Sequence, residues 1–321
     1  MKNLTSRIIL LLTVLFFALG SIACNEEDSL LLSDTNPSSD KEALERIIEE
    51  DEAIQSFEVN YNEEEAMDFV LGKVATEIFP VKVGQRMKLI SKELNVVFEG
   101  DTAYGNIVKT FEGVLFIVAS TDSLTGRLDS IDLDVYEKPF STTITRNVVF
   151  VKVDDTDDPT KNWKLSSISL PVGGTLTENI AIESLTVYLP DGETLIIDSP
   201  LDYYFSRGPS FRRLVPSFGN RESVKVEVNI KSIYEEADYV TLTHGAIKDR
   251  KDSRSKRRFT FDETSERNEG GYYYRTYTGE WTINQHRGFK HAIVSAFPWG
   301  VIKDSDAAVE TVSWGIPYFV K

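Results

Sequence analysis

The sequence predicts a mainly β protein in which an N-terminal α+β region precedes an antiparallel β-sandwich. Three observations support this fold class: helical spacing of apolar residues near the start, alternation with period two from residue 94 onward, and turn residues between the alternating segments. The chain of 321 residues is long enough for two domains with sizeable cores. We place the boundary at the Gly173-Gly174 pair and therefore predict domains at residues 40–175 and 176–321.

Two helices are predicted at the start of the first domain. In residues 40–56, Asp40 is a suitable N-cap, and apolar residues at helical spacing from Leu44 to Ile54 form one stripe. A second helix is predicted from Asn62 to just before Pro80, because the residue preceding proline is pushed out of the helical region. Residues 85–93 are compatible with either a short helix or a strand.

The predicted strands form two groups, one on each side of the boundary. The first group comprises residues 94–98, 103–111, 114–119, 142–153 and 163–170. The second comprises residues 182–189, 193–198, 224–230, 239–244, 258–261, 272–283, 291–297 and 309–320. Residues 224–230 alternate without a break, which is typical of a strand with one solvated face. Pro190-Asp191-Gly192 indicates a turn, because proline presets one dihedral angle and glycine permits positive φ.

Both strand groups resemble known folds. Helices followed by a meander, with Trp163-Lys164-Leu165 opening its last strand, resemble the order of the NTF2-like and cystatin-like folds. The NTF2-like resemblance implies a sheet curled around a pocket, which many members use for ligands and some for catalysis. Seven or eight strands in the second group resemble an immunoglobulin-like sandwich, although the Cys–Trp–Cys signature of that family is absent.

The first 23 residues predict a secretory signal peptide. A basic start is followed by a run of twelve residues, 8–19, in which Thr13 is the only polar side chain. Ser21-Ile22-Ala23-Cys24 resembles the lipobox of bacterial lipoproteins, which implies cleavage before Cys24 and acylation of that cysteine. The alternatives are a plain signal peptide cut after Ala23, or a signal anchor. Residues 24–39 are polar and acidic, and we predict a flexible tether there.

Charge and cysteine content exclude several functions. The formal net charge of −16 disfavours binding to nucleic acid and to an anionic membrane surface, so attachment to a membrane depends on the lipid. With one cysteine, no disulfide within the chain and no thiolate zinc site can form. The three histidines lie outside metal-binding and hydrolase motifs. We therefore predict no catalytic residues, no metal and no cofactor.

Two groups of residues are candidates for binding. A basic loop in an acidic chain could dock an anionic partner, although a flexible solubilising loop is the alternative; its basic residues are Lys248, Arg250, Lys251, Arg254, Lys256, Arg257 and Arg258. Aromatic residues of the second domain could form a platform on which sugars stack, although sandwich core is the alternative. The platform candidates are Tyr272, Tyr274, Trp281 and Trp299.

From these features we expect a lipid-anchored protein of the bacterial cell envelope, at the outer membrane and facing the periplasm or the surface. Its expected role is that of a non-catalytic binding or assembly module, with envelope proteins or glycans as partners. One alternative is a carbohydrate-binding surface lipoprotein. The other is an enzyme that uses a pocket in the first domain, where catalysis would rest on Asp, Glu or Tyr because that domain has no histidine.

Overall fold

The computed structural model describes residues 39–58, 68–69, 78–120, 132–207, 215–246, 255–264, 268–283 and 286–321. Residues 37–321 form one compact unit. The fold is mainly β, with two sheets and few helices, as the sequence predicts. The helices of the described chain are α1 (Asp40–Glu50), α2 (Glu52–Glu58), α3 (Pro159–Asn162) and α4 (Trp299–Lys303).

Seventeen strands lie within the described residues. The first nine are β1 (Asp68–Phe69), β2 (Phe79–Glu99), β3 (Thr102–Ser120), β4 (Asp134–Lys152), β5 (Trp163–Ser169), β6 (Val172–Gly174), β7 (Ile180–Tyr188), β8 (Thr194–Ile197) and β9 (Tyr204–Ser206). The remaining eight are β10 (Ser217–Phe218), β11 (Ser223–Ser232), β12 (Tyr239–Ala246), β13 (Ser255–Arg258), β14 (Thr260–Thr264), β15 (Tyr273–Thr282), β16 (Gly288–Phe297) and β17 (Val312–Val320).

The larger sheet crosses the predicted domain boundary. Its strand order is β1-β2-β3-β4-β6-β17-β16-β12-β13, with β5 and then β9 added beside β4, and β10 beside β17. The smaller sheet has the order β14-β15-β11-β7-β8. The strand pairs are antiparallel except for β10 with β17. Because β6 is hydrogen-bonded to both β4 and β17, the two predicted domains share one continuous sheet.

The strand β16 separates two interiors. One face, which includes Ala292 and Val294, packs in a core with Val226 and Val228 of the smaller sheet. The opposite face contributes Ile293, which packs with side chains of the β2–β4 meander. The smaller sheet and the strands around β16 therefore form the predicted sandwich-like arrangement, and the meander, which belongs to the same larger sheet, packs against the other face of β16.

The helices close the two ends of the meander. Apolar residues of α1 and α2, among them Leu44 and Ile54, pack with Phe150 and Trp163. At the other end, α4 packs on β3, and Lys138 Nζ donates hydrogen bonds to the carbonyl oxygens of Val301 (2.7 Å) and Asp304 (3.0 Å). This lysine compensates the partial negative charge that accumulates at a helix C-terminus.

The predicted helix at residues 40–56 is interrupted at Asp51. The Ser39 side chain accepts a hydrogen bond from the Glu42 backbone N–H and caps α1. The backbone of Asp51 is extended, and its Oδ1 accepts a hydrogen bond from the Ile54 N–H at 3.0 Å. Asp51 therefore ends α1 and caps the N-terminus of α2, a position at which aspartate is a preferred residue.

Several predicted boundaries are wrong. Residues 103–111 and 114–119 belong to one strand, because Gly113 gives space to the Phe140 ring, which a Cβ would approach to 2.7 Å. The ambiguous residues 85–93 form part of β2. Residues 68–69, predicted as helix, form β1, and most of that predicted helix lies outside the described residues. The predicted strand at 258–261 is divided at Phe259 between the two sheets.

Each of the described helices is too short or too polar to cross a bilayer.

Candidate functional site

The predicted lipid attachment residue, Cys24, lies outside the described residues, as do the signal peptide and all of the tether before Ser39. Lipidation therefore stays a prediction.

The basic loop is described only in part. Lys248, Arg250, Lys251 and Arg254 lie outside the described residues, whereas Lys256, Arg257 and Arg258 belong to β13, the last strand of the larger sheet. The Arg258 guanidinium lies 4.8 Å from the ring centroid of Trp299 and 5.4 Å from that of Tyr239. Because β13 is an edge strand, its positive charges discourage pairing with strands of other chains. Docking of an anionic partner on this loop stays a prediction.

The four platform aromatics do not share a surface. Trp281 is 1% exposed and belongs to the core between the sheets, and Trp299, the first residue of α4, is 7% exposed and packs in the core beside β3. Tyr272 and Tyr274 lie closer to solvent, with Lys231 Nζ 4.3 Å from the Tyr272 ring centroid. In a strand, residues an odd number apart point to opposite faces. Tyr274 and Trp281 are therefore on opposite faces of β15, which the sequence alone could have shown.

The interior between β16 and the meander contains three buried bases that the sequence analysis missed. They are Lys109 on β3, Arg146 on β4 and His291 on β16. Arg146 Nη2 lies 2.9 Å from His291 Nε2, and because a guanidinium can only donate, the imidazole nitrogen accepts. Burial, followed by the charge of Arg146, lowers the pKa of His291 well below its usual value. The same two causes lower the pKa of Lys109 to about 7, which the charge of Glu49 partly opposes.

An acid–base group also lies buried at the edge of the sandwich core. Arg275 Nη1 is 3.1 Å from Asp238 Oδ2, and the Tyr277 hydroxyl is 3.2 Å from the same oxygen. Arg275 Nη2 also donates to the carbonyl oxygens of Tyr234 and Glu235 at 2.6 Å. Burial raises the pKa of Asp238, with Arg275 opposing the shift. These contacts hold the connection between β11 and β12, so we assign the group a structural role.

A cavity of about 390 Å³ opens beside the β7–β8 hairpin and β10. Its apolar lining includes Leu195, Phe205 and Phe218. Three carboxylates, those of Asp191, Glu193 and Glu222, also line it; the other lining residues are Leu189, Pro190, Val215, Pro216, Ser217 and Lys321. The cavity thus combines apolar surface with an excess of negative charge.

Two turns position these carboxylates. The first is the predicted Pro190-Asp191-Gly192 turn, in which Gly192 has φ of +89° and the Leu189 N–H donates to the Glu193 carbonyl at 2.9 Å. In the second, the Gly219 N–H donates to Glu222 Oε2 at 2.7 Å. The backbone of Asp191 and Glu193 is therefore held in a turn, and the Glu222 carboxylate is held by the Gly219 N–H.

The rings of the cavity are fixed by the cores behind them. Phe205 packs against both the sandwich core and the core under α1 and α2. Phe218 is almost fully buried and meets Trp281 edge to face, with ring centroids 6.3 Å apart. Such an arrangement suits a ligand group with an apolar stem and a cationic end, which would contact the rings and the carboxylates together. Apart from the predicted turn at residues 190–192, no local sequence pattern indicates that these residues, which are distant in sequence, line one cavity.

No family model, curated protein or solved structure matches this chain. In the described part of the chain, no group of three or more His, Cys, Asp or Glu side chains is arranged to hold a metal ion.

Proposed function

We propose that this protein is a lipid-anchored binding module of the bacterial cell envelope, which receives a cationic segment of a partner protein in the cavity beside β8. The observation that carries the proposal is the cavity itself, whose lining combines the rings of Phe205 and Phe218 with the carboxylates of Asp191, Glu193 and Glu222. Cys24 supplies the anchor in this proposal, and residues 24–39 link it to the folded unit.

Charge supports a cationic partner. The chain carries 51 acidic and 35 basic side chains, so its field favours the approach of positive groups and opposes that of anions. A lysine or arginine side chain brings an apolar stem as well as a charge. The stem would lie on Leu195 and the rings, while the charged end meets Asp191 or Glu193 at the rim.

The cavity is tested with three blocked tripeptides, acetyl-Leu-Arg-Leu-amide and its analogues with Gln or Glu in the centre. We expect the arginine peptide to bind at least ten times more tightly than the glutamine peptide in calorimetric titrations. Glu193→Gln should remove most of this preference, and added salt should weaken it. Glu183→Gln serves as the control because Glu183 is an exposed acid of β7 and not part of the cavity lining. Equal binding of all three peptides would refute the proposed cavity function.

The anchor is tested separately by fractionating cells that express the whole chain. We expect the protein to sediment with membranes and Cys24→Ser to release it or leave it uncleaved. A cleaved Cys24→Ser protein that still sediments with membranes would rule out lipid attachment. The peptide titration is independent of this outcome, so the two parts of the proposal can fail separately.

A further inference from the structure

The outer face of the larger sheet carries a block of uncharged residues near the β2–β3 turn. One row runs across five strands through directly paired or adjacent positions: Asn95, Asn106, Asn147, the buried Ser169 and Tyr204. The next row, two residues away along each strand, is Val97, Tyr104, Val149, Ser167 and Ser206. None of these ten side chains is ionised at neutral pH, in a protein with a formal net charge of −16.

Two tyrosines and a valine provide the exposed apolar surface of this block. Tyr104 is 47% exposed, Tyr204 is 38% exposed and Val97 is 60% exposed. Five strands at a spacing of about 4.8 Å give the block a width of roughly 19 Å. The surface is therefore wide enough for several sugar rings and is set on paired strands, which hold it rigid.

Amides and hydroxyls lie between the rings. Asn106 Nδ2 donates to Asn147 Oδ1 at 2.7 Å, and Asn147 Nδ2 donates to the Leu201 carbonyl at 3.1 Å. These bonds orient the amide row, with the exposed Asn95 at one end and Tyr204 at the other. Ser167 and Ser206 form a second polar pair, with their hydroxyl oxygens 3.2 Å apart.

We propose that this block, which we call the tyrosine–asparagine face, binds a neutral oligosaccharide. Tyrosine rings offer flat apolar surface to the C–H face of a sugar ring. Amides and hydroxyls supply both donors and acceptors, which match sugar hydroxyls that also do both. The ten side chains of the face offer no charged partner to an ionic ligand, and the net negative charge of the protein opposes the approach of an anionic glycan.

The composition of the face favours a glycan over a lipid surface. A membrane-binding sheet would concentrate apolar side chains and add lysine or arginine to meet anionic lipids. Here the amide row crosses the face beside Tyr104, and burying it in lipid would cost hydrogen bonds with water. This face lies on the larger sheet, whereas Tyr274 and Trp281 of the platform predicted from sequence belong to the smaller sheet.

The test is electrophoresis of the full chain through native gels that contain one polysaccharide each. The neutral gels hold glucan, xylan, mannan or dextran, and the charged gels hold polygalacturonate or chitosan. We expect retardation in at least one neutral gel, with the dissociation constant raised at least tenfold by Tyr104→Ala. Tyr188→Ala is the matched control because Tyr188 is an exposed tyrosine of the smaller sheet.

A second variant guards against loss of folding. Val97→Lys adds a charge at a side chain that is already exposed, and it should weaken the same binding while the melting temperature stays unchanged. Retardation only in charged gels, or in no gel, would overturn the proposal. The proposal would also be overturned if Tyr104→Ala abolished binding to phosphatidylcholine vesicles, or self-association of the protein, and did not weaken glycan binding. The cavity titration uses other residues, so neither result determines the other.

Discussion

The two faces of β16 adjoin interiors with different chemistry. Toward the smaller sheet, Ala292, Val294 and Ala296 join a core that is largely apolar and includes Trp281. Toward the meander, the alternate residues His291, Ile293 and Ser295 share their side of the strand with Lys109 and Arg146 across the interior. The first core is mainly apolar, although it also holds the buried His244 beside Trp281 and the buried Lys290 on the face of β16 that carries Ala292. The second core contains the buried bases Lys109, Arg146 and His291.

This difference predicts two kinds of response to a change of pH. Burial of apolar surface does not depend on protonation, so the apolar side chains of the sandwich core should contribute the same stability at pH 7 and pH 9. A base whose pKa is lowered by folding binds fewer protons when folded than when unfolded. Unfolding then takes up protons, and the free energy of unfolding rises with pH between the two pKa values.

The largest effect is expected from Trp281→Ala, which removes the largest fully buried side chain of the sandwich core. We expect the free energy of unfolding to fall by roughly 3–5 kcal/mol, as for other buried aromatic residues. The fall should be equal at pH 7 and pH 9 in urea unfolding. Tyr274→Ala, on the opposite face of the same strand, is the control and should cost less than about 1 kcal/mol. A Trp281 effect that changes between the two pH values would break the comparison.

The next largest effect is expected at Lys109. Its pKa is lowered to about 7 when folded, mainly by burial, so an unfolded chain holds this proton up to a much higher pH. Between pH 7 and pH 9 the free energy of unfolding should therefore rise by roughly 2 kcal/mol through this residue. In Lys109→Met this rise should disappear.

The measurement is the urea midpoint at pH 7, 8 and 9. Lys88→Met provides the control, because Lys88 is an exposed lysine on the neighbouring strand β2. An identical rise in Lys109→Met and in the unchanged protein would show that the lysine keeps its proton when folded.

Much of the fold follows from local sequence patterns. The alternation at residues 224–230 and the turn at Asp191-Gly192 gave β11 and the β7–β8 hairpin correctly, because both depend on neighbours in sequence. Gly113 was misleading, since the same residue that permits a turn also permits a close ring contact within a strand. The role of β6 in joining two predicted domains depends on partners more than a hundred residues away in β17.

The candidate sites were less predictable for the same reason. Tyr104 and Tyr204 lie 100 residues apart in sequence and share a face only because β5 and β9 extend the sheet beside β4. The cavity likewise combines Asp191, Phe205 and Glu222 from three separate segments. Strand periodicity assigns each residue a face, but it does not say which strands are adjacent.

The smallest effect distinguishes the two histidines that lie on either side of β16. His244 stacks near Trp281, with ring centroids 5.9 Å apart, and burial followed by the charge of Arg257 lowers its pKa to about 4. Both His244 and His291 therefore stay neutral in the folded chain as the pH falls from 7 to 5.5, whereas unfolded histidines take up protons. The free energy of unfolding should fall by about 1 kcal/mol per histidine over this range.

Glutamine variants separate the two contributions, because a glutamine amide can accept a hydrogen bond as the neutral imidazole does. His244→Gln and His291→Gln should each remove about half of the histidine-dependent loss, and His286→Gln, at an exposed position, is the control. The measurement is the difference between urea unfolding free energies at pH 7 and pH 5.5. If His291→Gln retains the full loss, then the imidazole is protonated when folded. Arg146 could not then be its hydrogen-bond donor, and the interior beside the meander would have to hold that charge by other contacts.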